Sequence, residues 1–273
     1  VLRADKELIA LPAISGVVSL ICVAPFLGAA FLTAPGTGPV SDGSATLSPV
    51  GYALLFVGYL VGAYVTIFFQ AALIHAANER MCGGNPSLGS AIAGAGARAG
   101  HILPWALLSA TVSVVLRAVQ ERAGFLGRLV VGLVGLAWTL VTFLVLPILV
   151  IEGTGVKDAL SRSAAAFRRT WGENVVGNAG IGILGVLGAL VGLAVAGPIA
   201  LVGFGNDLPA VGIAGVALFV VWMLLVSVTT SALSGVFQTA LYHYAVAGEV
   251  PPGFTRDQIA DAFTPARGRS GRG

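Results

Sequence analysis

The chain has 273 residues, 56% of them hydrophobic and only 10% charged, with a mean hydropathy of +0.92 and a formal net charge of +3. A soluble domain carries about 25% charged residues because its surface faces water, so a soluble fold is excluded and the surface must face lipid. The basic residues are scattered and form no basic patch interleaved with aromatics, which removes nucleic acid as a partner.

Six apolar stretches follow one another, over residues 8–32, 50–77, 101–119, 129–151, 179–204 and 210–247. A span needs roughly 20 mostly apolar residues to cross the ~30 Å hydrocarbon layer, so each stretch is read as a membrane-crossing helix. The fold class is therefore all-α, a polytopic bundle of six spans over residues 1–250 with a cytoplasmic tail over 251–273. The first stretch lacks a small-residue cleavage site and reads as a span rather than a signal peptide. The chain opens on Val1 rather than Met, which points to further sequence upstream. Turn-rich segments, notably TAPGTGPVSDGSATLSP and GNDLP, separate the spans. The second and sixth stretches exceed one bilayer thickness, so tilt or protrusion is expected. Pro12, Pro25, Pro104, Pro147 and Pro198 fall within or at the ends of spans, where neighbouring helices or side chains must satisfy the freed backbone groups.

Orientation follows from charge. With the N-terminus inside, cytoplasmic segments hold 12 of the 15 basic residues, and the other side keeps Arg117, Arg122 and Arg128. Lys and Arg near span ends favour the cytoplasm, so both termini are expected there. The third stretch is short and carries Arg117 at its end. A re-entrant helix there would worsen the charge split, and six spans are retained.

Amphipathic elbow segments precede the odd-numbered spans. In GVKDALSRSAAAFRRTW, Val156, Ala159, Leu160, Ser163, Phe167 and Trp171 recur at helical spacing, opposite Lys157, Asp158, Arg162, Arg168 and Arg169. Thr154 is the expected N-cap. Such a helix lies in the headgroup layer with Arg162, Arg168 and Arg169 near lipid phosphates. NPSLGSAIAGAGARA is similar, with Asn85 as cap and Pro86 at the first helical position. LRADKELIALP reads as the tail of a third such segment and GFTRDQIADAF as a fourth. Their first role is to set topology; recognition of lipid head groups or a cytoplasmic partner is the second.

The second and sixth stretches repeat one another. FQAALIHA (69–76) and FQTALYHY (237–244) share five of eight positions at a constant offset of 168. In this register Ser227, Thr230, Ser231, Ser234 and Gln238 form a stripe at i, i+3, i+4, i+7 and i+11, with Tyr59, Gly62, Ala63, Thr66 and Gln70 at the matching positions of the second stretch. Small and hydroxylated residues let membrane helices approach closely, and Gln bonds across the interface. A tight helix pair glued by Gln70 and Gln238 is the first reading. A polar-lined cavity open toward the cytoplasm, with Thr66, Gln70, Ser227, Thr230, Ser231, Ser234 and Gln238 on its wall, is the second. Gly188 and Gly192 mark close packing on the fifth span.

Chemistry is sparse. His75, His101 and His243 all fall near cytoplasmic span ends, and imidazole ligates zinc and other transition metals. No HExxH or CxxC spacing accompanies them, and interfacial histidines bonded to backbone or water are the preferred reading over a metal site. Coupled transport normally needs ionisable residues within the membrane, and no acidic residue sits mid-span; Glu79 and Glu152 flank cytoplasmic ends, where pairing with Arg is expected. The chain carries no GxSxG, P-loop or dinucleotide fingerprint, so neither enzymatic activity nor a cofactor is expected. Cys22 and Cys82 lie at different depths and give no disulfide framework. Thirteen of the fifteen basic residues are Arg, and with abundant Ala, Gly and Val this points to a high-GC bacterial genome.

LRADKELIALP, FQAALIHAA, LPILVIEGTGVKDALSRSAAAFRRTWGEN and HYAVAGEVPPGF together resemble an uncharacterised family of bacterial six-span membrane proteins. More loosely, the stretch from Pro147 through Trp171 is similar to the membrane domain attached to some glycerophosphodiester phosphodiesterases. The first resemblance implies architecture and the second an association with lipid membranes; neither brings catalytic residues. The function expected is a non-enzymatic accessory or scaffold subunit of an inner-membrane complex, contacting lipids and either other membrane subunits or further copies of itself. A transporter or permease component using the cavity between the second and sixth spans is the alternative.

Overall fold

The structure, a computed structural model, describes residues 6–33, 48–169, 171–206 and 208–247, with the backbone alone described at 6–7, 169, 171–181 and 247. The tail over 251–273 with its amphipathic GFTRDQIADAF segment, the loop over 34–47 and the side chains of Arg169 and Trp171 lie outside the described residues. Among the described residues the chain is helical throughout, with no strand: α1 (Ala10–Leu32), α2 (Pro49–Met81), α3 (Leu88–Ala97), α4 (Ala99–Arg122), α5 (Phe125–Thr142), α6 (Val145–Glu152), α7 (Val156–Arg169), α8 (Trp171–Gly205) and α9 (Pro209–Tyr242). A short 3-10 turn, Lys6–Ile9, leads into α1, and a wider π-type turn, His243–Ala247, follows α9.

Six segments are long and apolar enough to cross a membrane: α1, α2, α4, Phe125–Glu152 (α5 with α6), Gly182–Gly205 within α8, and Pro209–Val246. The third of these helices, α4, has 24 residues, about 36 Å of helix at 1.5 Å per residue, which is enough for a full crossing. Their outer faces carry exposed Leu, Val, Ile and Phe, with Leu32, Phe125, Leu126 and Leu201 among the most exposed. Among the described residues the hydroxyls exposed on these faces, such as Thr111, Ser113 and Thr139, turn back to their own helix carbonyls.

The bundle converges toward one end. Its core gathers Leu8 and Leu11 of the N-terminal turn and α1, Leu73 and Ile74 of α2, Ile102 of α4, Ile148 and Leu149 of α6 and Leu241 of α9, all within one or two turns of the elbows. Two hairpins, α1/α2 and α8/α9, supply the most extensive helix pairs, and α2 packs on α9 between them. Glycine sets the approach in the second hairpin, because a Cβ at Gly203 would lie 2.1 Å from the backbone nitrogen of Gly212. The Trp222 indole lies against Gly192 and donates to the Gly188 carbonyl at 2.7 Å, which accounts for the glycine pair on α8.

Two helix starts differ from those expected. α3 is capped by Ser87 rather than Asn85: the Ser87 hydroxyl accepts from the Ser90 N–H at 3.0 Å and the Ser90 hydroxyl accepts from the Ser87 N–H at 2.9 Å. This reciprocal box satisfies two otherwise orphaned donors and moves the start two residues past Pro86. α7 begins at Val156, so Thr154 stands too far upstream to cap it, and the Thr154 hydroxyl is buried without a hydrogen-bond partner.

Between α5 and α6 the fourth span breaks. Pro147 offers no N–H to the Phe143 carbonyl and its ring crowds that carbonyl. The break leaves the Val141 carbonyl and the Leu144 N–H to find partners elsewhere. Both find Ser163 of α7, whose hydroxyl donates to Val141 at 2.5 Å and accepts from Leu144 at 3.2 Å. Ser163 is only 1% exposed. The apolar face of α7, with Ala159, Ser163 and Ala166 buried, therefore rests on the bundle itself.

Candidate functional site

The seven residues singled out on the second and sixth spans come together. Thr66 and Gln70 of α2 and Ser227, Thr230, Ser231, Ser234 and Gln238 of α9 all line one cavity of about 670 Å³. Its remaining wall comes from Pro12, Ser15, Gly16 and Ser19 of α1, Phe69 and Leu73 of α2, and Gly182 and Gly185 of α8. The cavity is thus a half-open groove between the α1/α2 and α8/α9 hairpins, in the half of the membrane nearer the elbows.

Local sequence explains why the groove is open. On α9 the hydroxyl stripe recurs at the helical period, so one face is small and polar along about 16 Å. Thr66 and Thr230 turn their hydroxyls back to their own helices, at 2.8 Å from the carbonyls of Gly62 and Val226. At Gly16 and Gly182 a Cβ would meet nothing within 4 Å, so these glycines border open space rather than a packed neighbour.

At the elbow end the groove is floored by amides. Gln70 Nε2 donates to Gln238 Oε1 at 3.4 Å, and Gln238 is 8% exposed. Just below, Gly235 lets Leu73 close in, since a Cβ there would lie 2.5 Å from its Cδ2. The two helices thus touch through the Gln pair and at Gly235, and the cavity lies along the hydroxyl stripe. The contribution of α1 was missed. Ser15 and Ser19 lie four apart on one helix face, the same signal as on α9, but their segment has no counterpart in the repeat.

A second polar cluster lies beneath the floor. Glu152, at the end of α6, pairs with Arg162 of α7 and accepts a hydrogen bond from the Tyr242 hydroxyl at 3.0 Å. Gly153 closes α6 with φ +68°, and the Arg98 guanidinium lies across it, where a Cβ would collide. Only glycine takes this left-handed position without strain.

The remaining candidates separate. Of the three arginines assigned to lipid head groups, Arg162 is turned to Glu152 and Arg168 is exposed, while the Arg169 side chain lies outside the described residues. His75 lies against Gly94 of α3, His243 Nε2 bonds Asn78 Oδ1 at 2.8 Å, and His101 sits in the first turn of α4. Among the described residues no three His, Cys, Asp or Glu side chains are grouped to hold a metal ion. Glu79 accepts from the Ser90 hydroxyl at 3.0 Å, a partner not expected from charge pairing.

Six apolar helices joined by amphipathic elbows define a multi-pass α-helical membrane protein. The chain belongs to a family of unknown function, DUF6159, whose model matches residues 49–252, from the first turn of α2 to beyond α9. No curated protein and no solved structure matches it.

Proposed function

We propose that the protein is a non-enzymatic transporter or permease component of a bacterial inner membrane, with both termini cytoplasmic, that receives an uncharged ligand in the α1/α2/α8/α9 groove. The lining carries this reading. Seven hydroxyl side chains and two carboxamides surround a space of about 670 Å³, within the range of small-molecule sites, and no ionisable side chain is among them. With no acid or base on the wall to activate these hydroxyls, binding and release are the chemistry such a lining supports. The positive-inside count sets the groove in the cytoplasmic half of the membrane.

Single cysteines at Ser227, Ser231 and Ser234, in a chain with Cys22 and Cys82 replaced by serine, test the reading. Each should react with a water-soluble thiol reagent, while a cysteine at the lipid-facing Leu224 stays unreactive. Silence at all three stripe positions removes the groove as a route.

A scaffold or accessory role has its own support. α5 has no buried residue and α8 packs extensively on α9 alone, which leaves long faces for other subunits or further copies. The looser likeness of Pro147–Trp171 to a phosphodiesterase membrane domain fits a lipid-contacting role of this kind. Replacing Arg162, Arg168 and Arg169 with Gln should weaken association with anionic liposomes, and unchanged association removes the lipid part. A lone monomer after purification in mild detergent counts against the scaffold.

A further inference from the structure

We infer that the groove takes the head of a neutral, hydroxyl-bearing membrane amphiphile, of the glycerol-ester class, in preference to a charged lipid; this rests on the groove being a ligand site as proposed above. One buried hydroxyl on the groove wall, that of Ser19, is unsatisfied among the described residues. Buried polar groups are nearly always hydrogen-bonded. Ser15 on the groove wall is 7% exposed, and the Ser19 hydroxyl is buried with no partner among the described residues. Gln238 is likewise almost wholly buried and lines the space, with its Oε1 taken by Gln70. A hydroxyl both donates and accepts, so a polyol head matches serine hydroxyls and a carboxamide in either direction.

Charge decides against the common phospholipids. A phosphate entering this space would be drawn out of water toward a wall with no cation, and an unpaired charge in such surroundings is strongly disfavoured. At the elbow end, the Arg162 guanidinium is committed to Glu152. An uncharged head meets no such penalty.

The amphiphile, rather than a free polyol, is favoured by the setting. Pro12, Phe69 and Leu73 give the same wall an apolar portion, and the groove is open on one side. On α1, Val17, Leu20 and Ile21 are exposed beside Ser15 and Ser19, so acyl chains leaving the groove would meet a surface suited to hydrocarbon.

The test uses the full chain in nanodiscs carrying a single reporter cysteine at Ser234, with dioleoylglycerol, dioleoylphosphatidic acid or soluble glycerol added in separate arms. Dioleoylglycerol should slow thiol labelling at least fivefold, and the other two should leave it unchanged. In the S19A variant, which removes one oxygen that has no protein partner among the described residues, the protection should fall severalfold, whereas T229A on the exposed face of α9 should retain it. Equal protection by dioleoylphosphatidic acid overturns the charge selection, and protection by glycerol overturns the lipid source. Labelling that no addition slows overturns the inference while leaving the groove itself intact. A cysteine that never labels in any arm overturns the groove and the inference together.

Discussion

Ser163 shows how much one hydroxyl can settle. Its hydroxyl serves both backbone groups released by the break, and it reaches them from 19 and 22 residues away. Removing it would leave a buried N–H and a buried carbonyl unpaired, at about 1–3 kcal/mol for such a loss. We therefore expect S163A to lower stability by that amount in a reversible detergent unfolding titration. An unchanged midpoint would mean that water or another side chain already serves the break. The residue was visible in the sequence only as part of an apolar stripe on α7, where a serine reads as a small residue tolerated at an interface. Its partners could not be read, because they depend on where a proline one helix earlier interrupts the fourth span. Thr154 and Asn85 fail as caps for a related reason: cap preference names a residue type, while geometry one or two residues further along selects which serine, or no side chain at all, performs the task.

At the scale of elements, Pro147 and Ser163 form a matched pair. Replacing Pro147 with Ala would restore an N–H for the Phe143 carbonyl and allow α5 and α6 to join as one helix. In that background the Ser163 hydroxyl has less to satisfy, so S163A should cost less than in the parent, with a coupling of about 0.5–3 kcal/mol in a double-mutant cycle. Additive effects would show that the break persists without the proline. The α8/α9 hairpin offers a second test at this scale. A Cβ at Gly203 collides with the backbone of α9, whereas one at Gly205 meets nothing within 4 Å. Overpacking of this kind costs about 1–3 kcal/mol, so G203A should lower the thermal midpoint and G205A should leave it in place. Hairpin pairing of this sort was legible in outline from the turn at GNDLP and the glycine spacing. Which glycine takes the contact was not, since that depends on the rotation of each helix about its own axis.

For the whole molecule, apolar length decided the architecture, and six crossings with both described ends at the elbow end agree with an even count. The groove was legible as a pattern on α2 and α9 and illegible on α1, because α1 carries no copy of the repeated segment and its two serines gain meaning only beside the other hairpin. The sidedness proposed from charge has a direct test. A reporter that is active only in the cytoplasm should function when fused after Ala247, and alkaline phosphatase, active only outside, should function when inserted at Ala123. The reverse pattern would place the groove in the opposite leaflet and send the elbow arginines outside.

The groove's two walls are also made far apart in time, because α1 and α2 are synthesised well before α8 and α9. Residues of α1 and α9 that share it are more than 200 positions apart, with α4 to α7 made in between. An emerging chain that has inserted α1 and α2 therefore exposes Ser15, Ser19, Thr66 and Gln70 to lipid until the closing hairpin arrives. During synthesis the unfinished site is a polar scar on a nascent hairpin, and its burial waits for α8 and α9. A chain truncated before α8 should on this account keep its early crossings and yet remain a substrate for membrane quality control, because half of its polar surface has no other half to meet.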